Sequence, residues 1–169
     1  SRSVKAFAPA TVANASAGFG IALSRSGRGL AVSEAARNGG EGAVVVYRYF
    51  RKDDVWKPLG DPILGVTING TAEELGSGIS LSDNGRVLAV AANHKVRRGK
   101  ARVYVRLGRT WVQLGQEIEG EYLGADLDRV SLSSSGFKMA TGSVGYGDEW
   151  PDDLEGRAGI FRFRGRRPF

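Results

Sequence analysis

Apolar and polar residues alternate over short stretches of this chain, and the alternation returns three times. Gly20-Ile-Ala-Leu-Ser24, Gly78-Ile-Ser-Leu-Ser82 and Arg129-Val-Ser-Leu-Ser133 each place apolar side chains two residues apart. Each leads into a small polar turn holding Gly27, Gly85 or Gly136, and then into a second apolar run: Leu30-Ala-Val-Ser33, Leu88-Ala-Val-Ala91 or Met139-Ala-Thr-Gly142. A period of two is the strand period, and a tight glycine turn between two such runs predicts a β-hairpin. The first strands are expected to start near Gly20, Gly78 and Arg129. No segment shows helical spacing; Ser33 to Arg37 is too short for it.

Further anchors recur. Gly42, Gly99 and Gly156 each stand five residues before an aromatic, Tyr47, Tyr104 or Phe161, which is preceded by Val46, Val103 or Ile160. In the second copy, Ala101-Arg-Val-Tyr-Val-Arg-Leu107 alternates as a half-buried third strand does. Trp56-Lys-Pro-Leu-Gly60 matches Trp111-Val-Gln-Leu-Gly115, and each Trp is followed at +7 by Ile and at +9 by Gly. This is the fourth strand, and the third copy lacks it. Four antiparallel strands in about 50 residues make one blade of a β-propeller. The chain is therefore expected to be all-β, with blades over residues 18–73, 74–125 and 126–169, the last incomplete and carrying a basic tail. Residues 1–17 form an extension, where Val4 to Val12 can serve as an edge strand because Pro9 suits only an edge. Closed propellers have about four to eight blades, so three describe a partial propeller. The recurring aromatics Tyr47, Trp56, Tyr104, Trp111 and Phe161 are expected in the core, Trp111 against the neighbouring blade.

These anchors resemble FG-GAP-type propeller repeats, such as those of integrin α-chains and some fungal lectins. Gly18-Phe19-Gly20 matches the opening Phe-Gly, with Leu75-Gly76 and Leu123-Gly124 in the other copies. The Leu-Ser strand, the Ser/Asn-Gly turn and the closing Trp-x-x-Leu-Gly look like repeat arrays of algal and marine bacterial proteins. Many FG-GAP repeats hold calcium in an Asp-x-Asp-x-Asp-Gly loop between their first two strands. Here those turns are Arg25-Ser-Gly27, Asp83-Asn-Gly85 and Ser134-Ser-Gly136. One carboxylate in three loops is too few hard oxygen ligands for calcium, so neither a metal nor any other cofactor is expected.

Composition narrows the chemistry. The 169 residues contain no cysteine and one histidine, His94, which excludes disulfides and thiolate sites and disfavours histidine-based catalysis. Net charge is +6, with basic clusters at Arg97, Arg98, Lys100, Arg102 and at Arg157, Arg162, Arg164, Arg166, Arg167. Such clusters suit an acidic surface on a partner. The longest variable loop, Val144 to Glu155, gathers Tyr146, Asp148, Glu149, Trp150, Asp152 and Asp153. It reads as a protein-contact loop, or as a platform for a sugar or a cation. Partner-binding candidates are therefore Tyr146, Asp148, Glu149, Trp150, Asp152, Asp153, Arg162, Arg164, Arg166 and Arg167, with no catalytic residue among them.

The expected function is a non-catalytic, propeller-like scaffold or protein-interaction module, an accessory subunit or a fragment within a larger assembly: its three blades belong to a longer chain, are completed by other chains, or form an open stack whose edges are covered. The alternative is a carbohydrate-binding or adhesion module of FG-GAP lectin type, using Tyr146 and Trp150. An enzyme would need residues from another chain. Nucleic acid is disfavoured because no aromatic-basic surface motif appears, and no apolar run is long enough to span a bilayer as a helix. Ala6-Phe-Ala-Pro9 resembles the Phe-containing cleavage motif of plastid presequences in algae of the red lineage and points to a plastid complex. Asn14-Ala-Ser16 and Asn69-Gly-Thr71 match the N-glycosylation pattern and point instead to secretion or the cell surface.

Overall fold

The computed structural model describes residues 16–93, 98–120, 125–145 and 156–163. They form antiparallel sheets with almost no helix, and none of the sheets closes into a barrel. Sheet 1 consists of β1 (Ala17–Leu23), β2 (Gly29–Glu34), β3 (Ala43–Phe50), β4 (Val55–Pro58) and β5 (Ile63–Leu64), in the order β1-β2-β3-β4 with β5 also paired to β3. A small ribbon, β6 (Thr67–Ile68) and β7 (Thr71–Ala72), leads into sheet 2. The ribbon turns at Asn69-Gly70, where both residues have positive φ; this Asn-Gly pair is a hairpin signal in its own right. Sheet 2 repeats sheet 1 with β8 (Leu75–Leu81), β9 (Val87–Ala92), β10 (Lys100–Leu107), β11 (Thr110–Gln113) and β12 (Ile118–Glu119). Sheet 3 contains β13 (Ala125–Leu132), β14 (Lys138–Gly145) and β15 (Arg157–Arg162).

The Leu-Ser repeat has a direct structural cause. In each hairpin the Ser hydroxyl accepts the amide of the residue that opens the second strand: Ser24 from Gly29 at 2.9 Å, Ser82 from Val87 at 2.9 Å and Ser133 from Lys138 at 3.2 Å. The turn glycine donates to the same Ser carbonyl, at 2.9 Å in all three copies. Gly27, Gly85 and Gly136 all have φ near +70°, a conformation that a side chain disfavours. The turns are also tied to each other. Arg25 donates its amide to the Asp83 carbonyl at 3.1 Å, and Asp83 donates its own to Ser134 at 3.0 Å.

The first strands begin earlier than expected, at Ala17, Leu75 and Ala125 rather than Gly20, Gly78 and Arg129. A register shift separates the early residues from the rest in each case. At the shift, Gly18 and Gly76 share a φ near +100°. The structural counterpart of Leu75-Gly76 is therefore Ala17-Gly18, not Phe19-Gly20. The shift adds two residues in β1 and in β8 and one in β13 without disturbing the alternation that follows it, which is why strand periodicity alone missed it.

The fourth strand is split. β4 pairs with Tyr47 to Phe50, while β5 pairs with Ala43 and Val44. β11 and β12 divide β10 in the same way. Between the halves, Leu59 and Leu114 still donate to Val46 and Val103 at 2.7 Å. One broken strand thus explains both Trp-x-x-Leu-Gly and the Ile and Gly that follow it. Gly60 has φ +92°, and a β-carbon there would overlap the Arg109 carbonyl of sheet 2.

The sheets stack face to face. Between sheets 1 and 2, Ala31, Val44 and Val46 meet Ile79, Leu81, Leu88 and Val90. Between sheets 2 and 3, Ala89, Ala101 and Val103 meet Leu127, Val130, Leu132 and Met139. Trp111 packs on the first of these seams, and its indole N–H donates to the Leu59 carbonyl of sheet 1 at 3.0 Å. It is half-buried rather than engulfed, because it sits on the outer strand. Of the recurring aromatics Tyr47 alone is buried; Trp56, Tyr104 and Phe161 are also half-buried. Trp111→Ala is expected to destabilise by about 2 kcal/mol, less than a fully enclosed aromatic. Trp111→Phe, which removes the bond to Leu59 and keeps most of the ring, should cost about 1 kcal/mol. Denaturant unfolding of the two variants checks both values.

Candidate functional site

Sheet 3 presents the face that its neighbours bury. Val46 and Val103 are 3% and 1% exposed inside the two seams. Their counterpart Ile160, fixed by its place before the strand aromatic, is 82% exposed. Ala140 and Ala158 are exposed as well, where Ala31 and Ala89, and Val44 and Ala101, are buried. Among the described residues β15 pairs only with β14, whereas β3 and β10 pair on both sides. Sheet 1 shows a related surface at the other end of the stack. Phe19, Ile21 and Leu23 of β1 are 72%, 70% and 61% exposed, at positions whose sheet 2 counterparts Ile79 and Leu81 fill the first seam. The rest of that face is covered: Val32, Val45 and Tyr47 are buried, with Leu30 and Trp56 packed on them.

The first seam ends in two contrasting polar groups. At the loop end, Glu73, 1% exposed, pairs with Arg102. Arg102 also meets Glu117 at 3.1 Å, and Glu117 bonds Lys100, which reaches Glu119 at 3.4 Å. Burial opposes the charge of Arg102, but the hydrogen bond and the attraction of Glu73 outweigh it and hold the pKa above its ordinary value. Burial likewise pushes Glu117 up, and hydrogen bonds from Lys100 and Arg102 bring it below the ordinary 4.5. Lys100 is raised, chiefly by its bond to Glu117. Two members of the Arg97–Arg102 cluster are thus neutralised inside the fold and do not form a basic patch. Their partners, Glu73 and Glu117, lie too far off in sequence for a charge count to pair them.

At the hairpin-turn end of the same seam stand Arg48, Arg86 and Arg106. Arg48 follows Val44 and Val46 on the seam face of β3, and Arg106 follows Arg102 and Tyr104 on the facing side of β10. The Arg106 amide donates to the Arg86 carbonyl at 2.8 Å. Burial, then the charges of Arg86 and Arg48, lower the pKa of Arg106. Its Nη1 donates to the Gly108 carbonyl at 2.6 Å, while its Nε is buried without a partner. None of the three was singled out from the sequence. The available signal was the repeat alignment, which puts Val105, Phe137 and Phe163 at the matching positions of the second seam.

Of the residues singled out beforehand, Arg162 is exposed on β15. Tyr146, Asp148, Glu149, Trp150, Asp152, Asp153, Arg164, Arg166 and Arg167 lie outside the described residues, as do His94, Val4 to Val12, Ala6-Phe-Ala-Pro9 and Asn14. Among the described residues no helix is long and apolar enough to cross a membrane.

Glu117 titrates lower in the folded chain than in the unfolded one. Its contribution to stability is therefore complete above pH 4.5 and is lost as the pH falls through the folded value. Thermal unfolding should show the wild type losing stability below that pH more steeply than Glu117→Gln. Equal slopes would mean that the Lys100 and Arg102 contacts do not hold in solution.

No family model matches the chain, and no curated protein matches it. Among solved structures it is similar to a complex of KlAtg21 with the coiled-coil of AgAtg16, with a TM-score of 0.56 and 14% sequence identity. The match covers 87% of this chain and 39% of that one, so the chain spans about two fifths of its length. KlAtg21 is a β-propeller protein. At this identity the likeness concerns the fold: the chain has a β-propeller-like arrangement of antiparallel sheets.

Proposed function

We propose that this chain is a non-catalytic interaction module that forms a partial propeller, three blades in our reading, and offers the open face of sheet 3 to a protein surface in a larger assembly. The observation that carries the reading is Ile160, exposed where Val46 and Val103 are buried. The two seams define the chemistry of what covers such a face. It is an apolar β-surface with branched side chains, as Ile79 and Leu81 or Val130 and Leu132 provide. Acidic groups beside that surface would meet Arg162. Burying the face contributes about 25 cal/mol per Å² of apolar surface, and the strand edge of β15 adds backbone hydrogen bonds by strand addition. The FG-GAP likeness and the plastid assignment rest on sequence motifs alone, and the scaffold reading needs neither.

The native particle tests the proposal. Its mass should exceed the 18.0 kDa of the chain, and Ile160→Asp should release the chain from it, because a carboxylate buried in an apolar seam is costly. Since Ile160 lies on the surface, circular dichroism of the variant should be unchanged. A wild-type particle of 18.0 kDa, or an Ile160→Asp chain that stays in the assembly, would overturn the reading.

A further inference from the structure

The two seams were built from one repeat, yet they finish differently at the hairpin-turn end. In the second seam the matching residues are Val105, Phe137 and Phe163, and Phe163 packs into the apolar cluster there. The backbone is the same in both: Phe163 donates its amide to the Phe137 carbonyl at 2.9 Å, as Arg106 does to Arg86 at 2.8 Å. Apolar side chains therefore satisfy this place in the fold. The first seam instead puts Arg48, Arg86 and Arg106 together, with one buried Nε left without a partner. Like charges gathered at a half-buried place cost stability, and an unmatched buried donor costs more. No carboxylate is among the charges acting on Arg106. Glu73 and Glu117 are engaged at the other end of the seam, and the carboxylate of Asp53, at this end, is paired with Lys57 at 2.9 Å.

From this geometry we propose that Arg48, Arg86 and Arg106 form a binding site for a tetrahedral phosphate group, the terminal group of a phosphate monoester. Guanidinium forks match pairs of phosphate oxygens and bind them in bidentate fashion. A phosphate monoester carries close to two negative charges at neutral pH, against one for a carboxylate, so it answers three cations best. Phe50 and Lys57 flank the site. The Arg48 guanidinium carbon lies 5.8 Å, and the Lys57 ammonium 5.2 Å, from the Phe50 ring centroid. These contacts hold the two cations near the seam mouth on an exposed aromatic. The site is separate from the face of sheet 3, and it stands or falls independently of the scaffold reading.

Thermal unfolding of the whole chain tests this in inorganic phosphate, glycerol 3-phosphate and acetate, each against chloride of equal ionic strength. Both phosphates should raise Tm by about 4 °C well above Kd, with acetate giving no comparable rise. A tighter response to glycerol 3-phosphate marks an ester as the ligand; equal responses mark the bare phosphate group as sufficient. Arg106→Phe installs the side chain that the second seam uses. It should be at least as stable as wild type in chloride and lose the response. Arg48→Gln alters an exposed side chain, so folding is not at risk, and half-saturation should weaken about tenfold. The variants also control for the general stabilisation that phosphate exerts by exclusion from protein surfaces. A wild-type Tm equal in phosphate and chloride, a response as strong in acetate, or variants that respond as wild type does would each overturn the site.

Discussion

Sheets 1 and 2 meet where Ile79 and Leu81 of one press against Ala31, Val44 and Val46 of the other, and this packing governs the rest of the molecule. Alanine and valine on one face and mostly larger aliphatic residues on the other let two twisted sheets approach closely. The same division of labour recurs between Val130 and Leu132 and the row Ala89, Ala101 and Val103. Each sheet consequently has two apolar faces and cannot bury both alone. Stability accrues by stacking, as in other repeat folds, and a face that no neighbour covers is left apolar and exposed; the outer face of sheet 3 is of this kind at Ile160, whereas Val32, Val45 and Tyr47 of sheet 1 are covered. The exposure of Ile160 follows from that geometry and is not a local accident.

Hydrogen bonds set the spacing that the apolar contacts fill. The turn-to-turn bonds from Arg25 to Asp83 and from Asp83 to Ser134 fix one end of the stack, and the Trp111 bond to Leu59 fixes the outer rim. Polar groups at the two ends of the first seam are then held at short range, with opposite consequences. Glu73, Arg102, Glu117 and Lys100 neutralise one another. Arg48, Arg86 and Arg106 are all cations. Partly buried charge is tolerable in the first arrangement because partners offset desolvation. In the second, an anionic ligand supplies what the protein does not.

The two proposals therefore use different parts of one architecture. The face of sheet 3 offers apolar area and a strand edge, which suit a protein surface. The turn end of the first seam offers convergent charge, which suits a small anionic group. A scaffold that carries both would couple assembly to an anion only if the seam shifted on binding. The apolar packing beneath Tyr104 and Trp111 opposes such a shift.

Strand composition and hairpin turns were legible in the sequence because each depends on residues close together in the chain. Leu81-Ser82 and Gly85 specify a turn with no help from elsewhere, and Trp111 with Leu114 marks an outer strand through spacing alone. The irregularities early in β1 and β8 were not legible, since the two added residues leave the later alternation intact. The half-burial of Trp111 was hidden as well, because identity says that a ring prefers cover and not how far the next sheet reaches over it. Charge required the tertiary structure most of all. Lys100 and Arg102 looked like a basic patch until the fold brought Glu73 and Glu117 to them. Arg48, Arg86 and Arg106 lie far apart in the chain and were not singled out; stacking places them at one end of a seam. Local rules decide what each strand is, but the electrostatics of a seam depend on which strands face each other, and that is set by packing between residues far apart in the chain.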